Sequence, residues 1–203
     1  MAWKELSPEN LAAPLPELLA GLDCLGAARL AALYLAGRRV WLAPHARDQI
    51  GRQFAGVNEE SGGLLLGKTF QVGPGTSGNY DFLTFITEAV AGRERQSSAV
   101  SLHLDTSVWA EIQTFLGQGL QVVGWYHSHP RLGAFFSTQD RHTQSAFFPQ
   151  AFMVGLVIDP FRNERKCFAG PSAIDRTDQL SDSEEGWLAS IPVIAGLHST
   201  SKS

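Results

Sequence analysis

Two histidines two residues apart, a proline, and a serine and an aspartate three apart fall within GWYHSHPRLGAFFSTQD, residues 124–140. Side chains alternate faces along a β-strand, so His127 and His129 point the same way with Ser128 opposed. Two imidazoles at that spacing can reach one ion, at about 2.0–2.1 Å if it is zinc. The residues before them, LQVVGWY, are apolar, as in a strand that is buried along its length and ends at a functional edge. Pro130 then stops the ladder. A lone histidine there would be an ordinary polar strand end, but a same-face pair immediately before proline points to metal ligation.

Ser137-Thr138-Gln139-Asp140 is open to two readings. Ser-x-x-Asp before a helix resembles a capping box, in which the serine caps the backbone and the acid reaches back. Taken alone the tetrapeptide favours the cap, and an aspartate that ligates a metal is expected to lose its ideal capping contact. Combined with the histidines, Asp140 makes a set of two imidazoles and one carboxylate. That set leaves zinc a fourth position, the arrangement of a catalytic rather than a structural site. Such a site needs a water and a nearby base to take its proton. Glu59 and Glu60, directly before the apolar run GGLLLG, are the acids available upstream. Glu59 is read as a solvated loop carboxylate, and Glu60 is kept as the base.

The elements that must position these residues follow from hydrophobic patterning. Residues 40–42 form a short strand, and 45–54 a helix with Ile50 and Phe54 four apart and Pro44 in its first turn. Residues 63–70 form a buried strand, followed by the turn material QVGPGTSGN. Residues 80–90 alternate as a strand, and 105–116 form a helix with Val108, Ile112, Phe115 and Leu116 on one side. A strand at 120–127, a helix at 137–148 and strands at 152–158 and 166–168 complete the pattern. Strands interleaved with helices predict an α/β (α+β) domain around one mixed sheet. Residues 1–39 read as a helical extension, with 17–35 its best helix. Residues 40–170 form the main domain. Residues 171–203 are a tail, partly disordered, in which WLASIPVIAGL is a candidate docking segment.

Composition narrows the function classes. Twenty acidic residues against 16 basic ones give a net charge of −4, which argues against general nucleic-acid binding. The two cysteines, Cys24 and Cys167, are far apart and offer no thiolate zinc site, so a metal must use His and carboxylates. They also favour a reducing compartment. The first 23 residues carry acids and prolines where a secretory leader needs a basic and then an apolar stretch. No run reaches the roughly 20 apolar residues of a membrane span. A cytoplasmic protein without membrane or nucleic-acid partners is expected.

The pattern His127-Ser128-His129-Pro130, then Ser137-x-x-Asp140, resembles the signature of the JAMM (MPN-plus, JAB-domain) metalloprotease family. Glu60-Ser61-Gly62-Gly63-Leu64-Leu65-Leu66-Gly67 is similar to the family's upstream motif, and FMVGLVIDP to the strand after its metal-binding helix. The resemblance covers about residues 40–170. It implies a single MPN/JAB domain, with a mixed, mostly antiparallel sheet flanked by helices in a cytidine-deaminase-like arrangement. It also implies a Zn²⁺-dependent isopeptidase or peptidase acting on ubiquitin or a ubiquitin-like protein. His127, His129 and Asp140 would bind zinc, Glu60 would deprotonate the water, and Ser137 would hydrogen-bond the oxyanion. Inactive relatives lack these ligands, and this sequence keeps them.

The resemblance further implies a substrate tail held in a groove. The loop AGRERQSSAVSL, with Arg93 and Arg95, and the aromatics Phe135 and Phe136 are available to line it, whereas Trp125 is expected in the core. The compact domain resembles prokaryotic members, often encoded with E1-, E2- and ubiquitin-like proteins, sometimes in antiviral defence operons. Two rival readings stay open: a zinc hydrolase processing a sulfur-carrier protein or small amide, and a non-catalytic subunit of a conjugation complex.

Overall fold

The computed structural model describes residues 12–74, 80–92, 106–181 and 194. Ala13–Pro14 (β1) leads into helices Leu15–Ala20 (α1) and Cys24–Leu35 (α2). The expected 17–35 helix is therefore two helices, because Asp23 breaks the run and caps the second, accepting from the Gly26 N–H at 2.7 Å. Val40–Leu42 (β2) and Pro44–Phe54 (α3) follow, with proline at the helix start where its missing N–H costs nothing. Then come the long strands Gly62–Pro74 (β3) and Tyr80–Ala91 (β4), helix Thr106–Gly117 (α4) and strand Gln121–Ser128 (β5). Helix Thr138–Phe147 (α5), strands Val154–Asp159 (β6) and Glu164–Ala169 (β7), and short strands Ile174–Asp175 (β8) and Leu180–Ser181 (β9) complete the order.

Among the described residues nine strands join one sheet, in the order β8-β7-β6-β5-β3-β4-β2-β9, with β1 beside β3. The pairings β3–β4, β3–β5, β6–β7 and β7–β8 are antiparallel, and β5–β6, β2–β4, β2–β9 and β1–β3 are parallel. This is the mixed α/β domain expected from the alternating patterns. Both chain extensions take part in it: β1 pairs with Phe70–Gln71, and β9 pairs with Val40–Trp41 beyond residue 170.

Alternation along the strands divides the interior. On one face, Ile50 and Phe54 of α3 pack with Leu42, Leu65, Ile86 and Leu156. A second cluster gathers Trp125, Phe136, Phe148, Val157 and Phe168 with Ile112 of α4. In the third, Leu18 and Leu30 of the first two helices cover Trp41, Phe70, Leu83 and Phe85, joined by Ile194. Trp41 and Phe85 stack with centroids 4.7 Å apart.

Candidate metal centre

Two topological facts place the site. Strand β5 runs parallel to β6 through the crossover helix α5, so the end of β5 and the start of α5 meet at one sheet edge. Strand β3 runs antiparallel to β5 with Gly62 opposite His127, which brings the residues just before β3 to that same edge. The register needs a residue without a side chain, since a Cβ on Gly62 would collide with the Tyr126 carbonyl oxygen.

At this edge His127, His129 and Asp140 are buried together. The Nε2 atoms of the two histidines lie 3.1 Å apart, His127 Nε2 is 3.3 Å from Asp140 Oδ1, and His129 Nε2 is 3.6 Å from Asp140 Oδ2. Ligand atoms about 2.0–2.1 Å from a tetrahedral ion are separated by about 3.3 Å, so the donor set and its spacing fit zinc. Burial pushes the His129 imidazole pKa down, and the neighbouring His127 pushes the same way, against the charges of Asp140 and Glu60. The result favours a neutral ring, the form that can ligate a metal. Burial alone would raise the Asp140 carboxyl, but His127 and Ser137 together hold it down to about 2.

The cap that the tetrapeptide favours is formed. Helix α5 begins with a complete capping box: Asp140 Oδ2 accepts from the Ser137 N–H at 2.7 Å and from its hydroxyl at 2.7 Å, while Ser137 Oγ accepts from the Asp140 N–H at 3.2 Å. A carboxylate offers two oxygens and about four lone-pair sites. Oδ2 serves the cap, 3.6 Å from His129 Nε2, while Oδ1 faces His127 at 3.3 Å and takes no part in the cap.

Glu60 is exposed, on the coil before β3, close enough for its charge to favour protonated His129. Glu59 is exposed as well. The two phenylalanines between the ligands diverge. Phe135 is 45% exposed with its ring 4.8 Å from that of His129, whereas Phe136 is core, stacked 4.1 Å from Phe168. Of the pair expected to line a groove, only Phe135 remains at the surface. Trp125 is fully buried, as expected. Arg93 and Arg95, with most of their loop, lie outside the described residues.

Three supporting residues, Gln144, Asp159 and Ser128, carried no signal strong enough to single out their roles. Trp125 stacks on His127, with centroids 4.6 Å apart and planes 8° from parallel, and its indole N–H donates to Gln144 Oε1 at 2.8 Å. Gln144 sits one turn after Asp140 on α5, so helical spacing plus an indole in need of an acceptor was the available clue. Asp159, at the end of β6, accepts from the backbone N–H groups of Arg131, Gly133, Phe161 and Arg162, which fixes the loop between His129 and Ser137. Ser128, between the two histidines, accepts from the Ser61 N–H at 3.1 Å.

Residues 42–169 match the family model described as prokaryotic homologs of the JAB domain. Over 113 residues the chain is 29% identical to ubiquitin carboxyl-terminal hydrolase RPN11 of Saccharomyces cerevisiae, covering 54% of this chain and 34% of that protein. Over 111 residues it is 33% identical to COP9 signalosome complex subunit 5 of Caenorhabditis elegans, covering 53% of this chain and 28% of that one. The chain thus spans about a third or less of these two relatives. A solution structure of a Desulfitobacterium hafniense protein shares the fold at TM-score 0.50 and 16% identity, covering 71% of this chain and 93% of that one.

Proposed function

This chain belongs to the JAB/MPN family, as one of its prokaryotic homologs, and from that premise we propose that it is a zinc-dependent isopeptidase. It would release a ubiquitin-like protein from a conjugate or from a C-terminal extension. The observation that carries the reading is the buried triangle of His127 Nε2, His129 Nε2 and an Asp140 oxygen, with edges of 3.1, 3.3 and 3.6 Å. The exposed carboxylate of Glu60, whose charge acts on His129, supports its choice as the base.

When bound by these three side chains, zinc supplies Lewis acidity toward a carbonyl and brings the pKa of a water to about 7. The protein supplies the rest. Glu60 takes the proton from the attacking water and delivers it to the departing amine as the amide C–N bond breaks. Ser137 donates to the carbonyl oxygen as negative charge develops there. At rest its hydroxyl donates to Asp140 Oδ2, so the hydroxyl turns toward the substrate while its oxygen keeps accepting the Asp140 N–H. Asp140 keeps its remaining bond from the Ser137 N–H, so the cap survives the turn. Phe135 offers an apolar wall for an extended tail of small residues, which can bind by strand addition.

The yeast relative is a ubiquitin carboxyl-terminal hydrolase, which supports this substrate class. The setting we propose is a prokaryotic ubiquitin-like conjugation system, with E1- and E2-like partners and a role in antiviral defence. The test offers the purified protein a ubiquitin-like protein bearing a C-terminal extension, with zinc content measured alongside. Cleavage should follow zinc loading, stop with chelator, and be lost in Glu60→Ala and His127→Ala. Full cleavage by either variant would sink the mechanism.

A further inference from the structure

Glu60 lies on coil, and its exposed carboxylate makes no hydrogen bond among the described residues, so its position is set by its attachment to Ser61 and Gly62. Those two residues are held by hydrogen bonds to the strand that carries the histidines, to Gly92 after β4 and to α3. The Ser128 N–H donates to the Ser61 carbonyl at 2.8 Å, and the Ser61 N–H donates back to Ser128 Oγ at 3.1 Å. One residue on, the Gly62 carbonyl accepts from the Gly92 N–H at 2.8 Å and from Gln53 Nε2 at 3.0 Å. Gln53 belongs to α3, and its other amide atom, Oε1, accepts from the Tyr126 hydroxyl. Tyr126 immediately precedes His127 on β5 and is buried.

We propose that Gln53 and Ser128 are positioning residues for Glu60. Gln53 ties helix α3, the β3 entry and the strand bearing the histidines into one unit, through an amide that donates to Gly62 and accepts from Tyr126. Ser128 fixes the next residue toward Glu60 from the strand position between the two ligands. Neither side chain is needed to complete the ligand triangle. Both act on the separation between that triangle and the carboxylate that moves the proton. Proton transfer needs heavy atoms within about 2.6–3.2 Å, and a displacement of about 1 Å costs on the order of 100-fold in rate. A strand start can fray by that much when its extra hydrogen bonds are removed. The inference rests on the reading of Glu60 as the base.

The test compares zinc-loaded full-length Ser128→Ala and the near-isosteric Gln53→Met with Glu60→Ala and with the two double variants. Each single variant should bind zinc as the parent does and lose about 10- to 100-fold in kcat with KM little changed. Added to Glu60→Ala, each should cost less than about twofold more, because a residue that acts through Glu60 has nothing left to position. Amide exchange at Ser61 should rise about tenfold in Ser128→Ala, and Ser128→Thr, which retains the hydroxyl, should restore both exchange and rate. Unchanged kcat in both single variants while Glu60→Ala is inactive overturns the positioning roles alone. So does an equal further loss in the Glu60→Ala background, which is the mark of general structural damage. No cleavage by the zinc-loaded parent, or full activity of Glu60→Ala, overturns the reading of Glu60 and the positioning roles with it.

Discussion

Asp140 shows how much one side chain can carry when its atoms are used separately. One oxygen closes the capping box of α5 and the other faces His127, so the helix start holds the carboxylate against the histidines. Gln144 extends the same logic by one turn. It is fully buried, accepts from the Trp125 indole, and donates to the carbonyls of Phe148 and Met153 at 3.1 and 3.2 Å. Gly155 makes room for this contact, because a Cβ there would meet Gln144 Oε1 at 2.9 Å. Gln144→Ala leaves the indole N–H and the Phe148 carbonyl buried without their partner, which should cost about 1–3 kcal/mol in urea unfolding. The stacking partner of His127 is then loose, and zinc affinity should fall about 10- to 100-fold by competition with a chelating dye. Parent-like stability and affinity would show that Gln144 only fills space.

At the scale of elements, the decisive unit is β5–α5–β6. Its parallel pairing puts the end of β6 beside the loop that leaves His129, and Asp159 binds that loop through the N–H groups of Arg131 and Gly133. Arg131 takes a left-handed conformation there, at φ 67°, and lays its guanidinium 4.1 Å from the Phe161 ring centroid. Burial alone would raise the Asp159 carboxyl pKa, but backbone donors from Gly133, Arg131, Arg162 and Phe161 outweigh it and hold it below its usual 3.8. A depressed carboxylate contributes stability in full above its unfolded pKa and loses it as pH falls through its folded one. Asp159→Asn should therefore destabilise most at neutral pH, with the gap to the parent closing as pH falls below about 4. Thermal unfolding across pH 7 to 2 measures it, and a gap that stays constant would contradict the ionised role of Asp159.

For the whole molecule, the question is whether the N-terminal segment is an appendage. Leu18 is fully buried and Leu30 is 3% exposed, both against Trp41, Phe70 and Phe85 of the sheet. Ile194 reaches the same cluster from the far end of the chain. Burying each such side chain is worth about 1.5–3 kcal/mol, against a total stability of about 5–15 kcal/mol for a domain. Deleting residues 1–36 should yield an insoluble or non-cooperatively unfolding protein. A soluble product with the parent Tm would show instead that residues 1–39 are a separable extension. Among the described residues no helix is long and apolar enough to cross a membrane.

The sequence by itself determined the parts: a same-face histidine pair at a strand end, a Ser-x-x-Asp helix start, an acid before an apolar strand, and the alternation that makes the sheet. These are local properties, written in spacing and in backbone preference over a few residues. It also carried the resemblance of the motif, which residues 42–169 confirm at the level of the family. Only the tertiary structure decided the rest. Gly62 opposite His127 is a pairing between residues far apart in the chain, and it brings the segment just before β3 to the end of β5. Phe135 and Phe136 are adjacent and identical in type, yet one faces solvent and the other packs on Phe168, because burial depends on what arrives opposite. Gln53, Ser128, Gln144 and Asp159 were plain polar residues in the sequence. Their partners are backbone groups, the Tyr126 hydroxyl and an indole, all brought near by folding.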